Sequence, residues 1–151
     1  MRILIINGPN LNLLGRREPG IYGKDTFESC LDALRAAYPD VAFDYFQSNV
    51  EGCLIDRMQA AGYGGDGERA DAIVLNAGAY THTSVALQDC LRSLPCPTVE
   101  VHISNVHKRE EFRHRSLISC ACLGVICGFG LDSYRLAVEA LIAHLKAGGN
   151  D

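Results

Sequence analysis

The segment Thr98-Val99-Glu100-Val101-His102-Ile103-Ser104 sets a carboxylate two residues from an imidazole. Side chains alternate across a strand, so Glu100, His102 and Ser104 share one face while Val99, Val101 and Ile103 share the other. A buried strand seldom gives a face to three polar groups, because each must then find hydrogen bonds. A carboxylate at this spacing can orient the ring and help to hold its charged form, as a general acid or base requires. The alternative is a structural pair that merely satisfies itself. Other apolar runs, however, end in similar groups. The first ends in Asn7-Gly8-Pro9-Asn10, and the third in Asn76-Ala77-Gly78 followed by Thr81-His82-Thr83. Amides, imidazoles and a carboxylate gathered at three run ends favour a site.

The elements that must position these groups are five short apolar runs: Ile3–Ile6, Val41–Phe46, Ala72–Leu75, Thr98–Ile103 and Val125–Cys127. Most are continuous rather than alternating, which predicts strands buried on both faces. Helical spacing lies between them. Asp25 with Glu28 reads as a capping box ahead of Phe27, Leu31, Leu34 and Tyr38, with Pro39 as the stop. Leu54, Ile55 and Met58 mark a second helix, and Leu87, Leu91 and Leu94 a third that Pro95 ends. Tyr134, Val138, Leu141 and Leu145 mark the last, started by Asp132 or Ser133 and closed by Gly148-Gly149. Residues 62–70, rich in glycine, read as a polar loop. Strand alternating with helix predicts an α/β fold, flavodoxin-like, with a five-stranded parallel sheet and helices on both faces. In such a sheet, ligands bind at the carboxyl ends of the strands near the point where strand order reverses.

Two charged stretches flank these ends. Gly15 to Gly23 carries Arg16, Arg17 and Tyr22 between glycines and a proline, the composition of a surface loop or of a lid over a site. Lys108 to Arg113 reads equally as a solvated helix face, and bears on the site only if Arg113 turns back toward His102.

The 151 residues predict one domain, 1–151, and the formal charge of −4 argues against a general nucleic-acid binder. The apolar start is too short for a signal peptide or a membrane span, which predicts a cytoplasmic protein with no membrane partner. Seven cysteines without a CxxC fit reduced thiols, with Cys120 and Cys122 as small buried side chains near a strand. GPNLNLLG has neither the GxGxxG spacing nor a GK[ST] ending, and no zinc spacing is present. The expectation is therefore no nucleotide, no metal and no other cofactor.

In NGPNLNLLGRREPGIYG (7–23), QSNVEGCLID (47–56), LNAGAYTHTSVALQD (75–89), VEVHISNVHKREEFRHRS (99–116) and GVICGFG (124–130), the chain resembles the type II 3-dehydroquinate dehydratases. These segments run in order through most of the chain and contain all the polar strand ends. The resemblance implies a flavodoxin-like fold and dehydration of 3-dehydroquinate to 3-dehydroshikimate in the shikimate or quinate pathway. By position it implies Tyr22 as the base at C2, with Arg17 lowering its pKa, and Asn10 holding a water that stabilises the enolate. It implies His102, oriented by Glu100, as the acid for the C1 hydroxyl. Asn76 and the backbone amides of Ile103 and Ser104 would take the substrate carboxylate, and His82 and Arg113 the ring hydroxyls. Asp89 matches a position that reaches a neighbouring subunit's site, in a family that usually forms dodecamers built from trimers. Arg115 departs from the family, which commonly has a second His there; residues 62–70, Cys120 and Cys122 also differ.

Two other readings use the same residues. A flavodoxin-type cofactor module predicts a yellow protein and leaves Glu100 and His102 unexplained. A non-catalytic oligomeric scaffold would let the strand-end groups satisfy one another.

Overall fold

The structure, a computed structural model, describes residues 1–16 and 26–148. Five parallel strands form one sheet: β1 (Arg2–Asn7), β2 (Ala42–Gln47), β3 (Ala72–Asn76), β4 (Thr98–His102) and β5 (Gly124–Cys127), in the order β2-β1-β3-β4-β5. The continuous apolar runs become the central strands, where every residue of β3 and β4 and all of β1 after Arg2 is buried. The edge strands β2 and β5 are only partly covered.

Among the described residues, four α-helices cover the two faces: α1 (Phe27–Ala37), α2 (Glu51–Tyr63), α3 (Val85–Ser93) and α4 (Asp132–Lys146). Phe27, Leu31 and Leu34 of α1 join Tyr134, Ala137, Val138 and Leu141 of α4 over Ile3, Ile5, Val74, Val99 and Val101. Leu54 and Met58 of α2 join Leu87 and Leu91 of α3 over Leu4, Ile6, Ile73 and Leu75 on the opposite face. Period-two alternation in the strands thus meets helical stripes on both sides.

Three boundaries differ from the sequence reading. The cap of α1 is Thr26, whose side chain accepts from the Ser29 N–H at 3.3 Å, rather than Asp25. Helix α2 runs through Gly62 to Tyr63, so the loop begins later than residue 62. A side chain at Gly62 would come within 3.0 Å of Leu94 and Pro95, so the glycine there serves close helix packing rather than a turn. Helix α4 starts one step earlier, with Leu131 as its cap and Asp132 already in the first turn. Ser84 does cap α3, accepting from the Leu87 N–H at 2.9 Å.

Strand order reverses between β1 and β3, whose outgoing chains diverge to opposite edges of the sheet. Asn7 pairs with Asn76 at that point. Just beyond it, the Gly8 N–H donates to the Asn76 carbonyl at 2.7 Å, and a Cβ on Gly8 would lie 2.5 Å from the Ala77 carbonyl oxygen. Only glycine permits this approach.

Candidate active site

A cavity of about 280 Å³ opens outside the carboxyl ends of β1, β3 and β4, near the lower end of the ~300–1,000 Å³ usual for small-molecule sites. Asn10, Leu11 and Leu14 line it from the chain after β1, and Asn76, Gly78 and His82 from the end of β3. His102, Ile103 and Ser104 line it from β4, and Arg109, Glu110 and Arg113 from the turns that follow.

His102 lines this cavity, and Glu100 stands behind His102. Nε2 of His102 lies 2.6 Å from Oε1 of Glu100, and the glutamate is 1% exposed. The other carboxylate oxygen accepts from the Ser119 hydroxyl at 2.6 Å and the Ser116 hydroxyl at 3.0 Å. Burial pushes the Glu100 carboxyl upward, but the hydrogen bonds from His102 and Ser119, the His102 charge and the Ser116 bond outweigh it, leaving the pKa below the ordinary value. A carboxylate can only accept, so Nε2 of His102 carries the shared proton and Nδ1 is the ring atom left for a ligand. The carbonyls of His102 and Ile103 accept from the N–H groups of Gly128 and Gly130 at 3.2 and 2.9 Å, which fastens the strand end.

His82 stacks on His102, with ring centroids 6.2 Å apart and planes 18° from parallel. Its Nδ1 lies 2.7 Å from the Arg115 carbonyl, which can only accept, so Nε2 is the free nitrogen. Arg113 does turn toward the site: it lines the same cavity as His102. Its Nε donates to Glu110 at 2.8 Å, and its guanidinium lies 4.9 Å from the Phe112 ring centroid. The stretch holding it is two single turns, Val106–Lys108 and Glu111–His114, rather than a solvated helix.

Asn10 adopts φ 69°, a left-handed conformation that Asn tolerates better than most residues. Its backbone N–H donates to Asn49 Oδ1 at 3.0 Å, and the Gln47 amide donates to the same oxygen at 3.1 Å and to the Gly8 carbonyl at 3.1 Å. Asn76 is 3% exposed; its Nδ2 donates to the Tyr134 hydroxyl at 2.9 Å and its Oδ1 accepts from the Gly78 N–H at 3.2 Å.

The structure therefore brings Asn10, Asn76, His82, His102, Ile103, Ser104 and Arg113 to one cavity, with Glu100 directly behind. It does not bring Asp89, which is exposed on α3 and away from the cavity wall. Arg17 and Tyr22 lie outside the described residues. Sequence reasoning missed Ser116, Ser119, Glu110 and the hydroxyl of Tyr134. Only Glu110 left a signal, an acid three residues before Arg113. Among the described residues, no group of three His, Cys, Asp or Glu side chains is placed to hold a metal ion.

The Dehydroquinase class II family matches residues 1–142. The chain belongs to that family. It is similar to a 3-dehydroquinate dehydratase of a Jannaschia species, with 51% identity over 150 residues covering 98% of each chain. A Rhizobium etli 3-dehydroquinate dehydratase is 54% identical over 141 residues, 92% of this chain and 94% of the other. The crystal structure of a type II dehydroquinase from Butyrivibrio crossotus superposes with a TM-score of 0.88 at 45% identity, covering 94% of this chain and 97% of that one. The α/β fold with its five-stranded parallel sheet thus matches that of a type II dehydroquinase. Segments 75–89 and 99–116, which carried the resemblance, are those that supply most of the cavity wall.

Proposed function

We propose that the chain dehydrates 3-dehydroquinate to 3-dehydroshikimate by general acid–base catalysis through an enolate. The observation that carries this reading is His102 lining a small polar cavity with the buried Glu100 behind it, in a chain of this family. Tyr22, as phenolate beside Arg17, takes a proton from C2. The electron pair moves onto the C3 carbonyl oxygen, where Asn10 holds a stabilising water. Collapse of the enolate breaks the C1–oxygen bond, His102 gives its proton to the departing hydroxyl, and water leaves. The ionised Glu100 balances the imidazolium and keeps the ring in place. Asn76 with the Ile103 and Ser104 amides takes the substrate carboxylate, and His82 and Arg113 take ring hydroxyls.

No cofactor enters this sequence of steps, and its partner is the small anionic substrate rather than nucleic acid or membrane. Among the described residues no helix is long and apolar enough to cross a bilayer. The 151 residues act as one catalytic domain in the cytoplasm, assembled as a dodecamer of four trimers. The exposed position of Asp89 on α3 supports its reaching a neighbour's site rather than its own.

Mixing the purified protein with 3-dehydroquinate should produce the ultraviolet absorbance of a conjugated enone. A colourless protein that turns over no substrate at any assembly state would overturn this reading.

A further inference from the structure

Helix α4 carries Tyr134 on its core stripe, edge-on to Phe27 at 4.9 Å between centroids, and the side chain is 0% exposed. By spacing alone this is a helix-packing aromatic. Its hydroxyl, however, stands between two strand ends: it accepts from Asn76 Nδ2 at 2.9 Å and donates to Asn7 Oδ1 at 2.7 Å. Burial pushes its pKa well above the ordinary phenol value, so the group stays a neutral hydroxyl with a single proton to donate.

The direction of this chain of bonds is fixed from one end. The Gly78 backbone N–H can only donate, so the atom of the Asn76 amide facing it at 3.2 Å must be the oxygen. Nδ2 is then turned to Tyr134, which must accept and sends its own proton to Asn7. Asn7 in turn directs its Nδ2 toward the Tyr45 hydroxyl at 3.4 Å. Turning the Asn76 amide over would set N–H against N–H at Gly78 and leave Asn7 Oδ1 without its donor, a loss of about 1–3 kcal/mol for each buried group. Asn76 has two Nδ2 hydrogens; Tyr134 takes one, and the other is the donor left for the cavity that Asn76 lines.

We infer that Tyr134 is a positioning residue for anion recognition, its hydroxyl holding Asn76 so that an N–H rather than a carbonyl oxygen is presented to the carboxylate of the ligand. This rests on the proposed reading of the cavity as the 3-dehydroquinate site. The interaction is with a group that does not react, so its loss weakens binding more than turnover.

The test compares Tyr134→Phe, Asn76→Ala and the double variant in steady-state assays with 3-dehydroquinate. Tyr134→Phe keeps the ring and its packing and removes one oxygen. It should raise KM about tenfold or more, the scale of one hydrogen bond to a charged group, with a smaller fall in kcat. In the Asn76→Ala background the same change should add little, because the group it positions is gone. Asn7→Ala removes the acceptor of the Tyr134 proton, together with the Nδ2 donor to Tyr45, while leaving Tyr134 and Asn76 themselves in place. It should raise KM in the same direction, which keeps the test decisive if Tyr134→Phe fails to fold. Raised KM in Asn76→Ala alongside unchanged KM in Tyr134→Phe or in a folded Asn7→Ala would overturn the positioning role alone. Unchanged KM in Asn76→Ala would overturn the carboxylate assignment and this inference with it.

Discussion

Oε1 of Glu100 and Nε2 of His102 lie 2.6 Å apart on one face of β4, while Val99 and Val101 on the other face pack beneath α1 and α4. A strand that is buried throughout thus has one face given to packing and one to a hydrogen-bonded carboxylate–imidazole pair. The hydroxyls of Ser116 and Ser119 make the polar face affordable by satisfying the second carboxylate oxygen.

Loss of the Ser119 hydroxyl should be visible in acid unfolding. The Glu100 carboxyl is held below its ordinary value of 4.5, so the unfolded chain binds that proton more readily than the folded one. The stability this contributes is fully present above the ordinary value and is lost as pH falls through the lower folded value. Ser119→Ala raises the folded value, so its acid-unfolding midpoint should move to higher pH, with a stability loss of about 1–3 kcal/mol at neutral pH. Cys122 lies near enough to feel the Glu100 charge, but burial first and that charge second push its thiol up to about 12, so it stays neutral across this range. An unshifted acid-unfolding curve, followed by circular dichroism, would contradict the role given to Ser119.

Gly8 sets the distance between the ends of β1 and β3. A methyl group there meets the Ala77 carbonyl oxygen at 2.5 Å, a backbone atom that cannot swing aside. Gly8→Ala should lower thermal stability by roughly 1–3 kcal/mol, the cost of forced overpacking. It should also reduce kcat/KM, since Asn10 and Asn76 leave from these two ends. A variant with wild-type melting and turnover would show that the approach is not constrained.

The central strands were legible because unbroken apolar runs have few other uses in a chain of this length. The helix stripes were legible from their spacing. Asn10, Asn76, His82 and His102 were legible as site candidates because each sits at or just beyond the point where an apolar run ends in polar groups. Tyr134 was not, because a helix-core tyrosine looks the same whether or not its hydroxyl reaches a strand 58 residues away. Ser116 and Ser119 stand in irregular turns, where no period shows which way a side chain faces. The α1 cap moved from Asp25 to Thr26 because both residues have capping oxygens, and backbone geometry alone decides between them.

The base assigned to Tyr22 makes a quantitative demand. A phenol titrates near ~10, and bringing it to about 7 takes roughly 4 kcal/mol of preference for the phenolate. One adjacent Arg supplies about one to three units, and exclusion of water from such a pair strengthens its attraction. Tyr22→Phe should lose at least ~100-fold in kcat. Arg17→Ala should also lose turnover heavily, with the alkaline-side rise in its rate moved to higher pH. A pH–rate profile for Arg17→Ala that keeps the wild-type shape and height would rule out this assignment.

In the proposed mechanism His102, held by Glu100 against the cavity, delivers the proton that lets the C1 hydroxyl leave. The most direct test of this step is the enone-absorbance rate of His102→Ala at saturating 3-dehydroquinate. The variant should fold and its kcat should fall at least ~100-fold, the scale for removing a general acid, with a smaller change in KM. A His102→Ala enzyme that turns over within a few-fold of the wild type would contradict the mechanism.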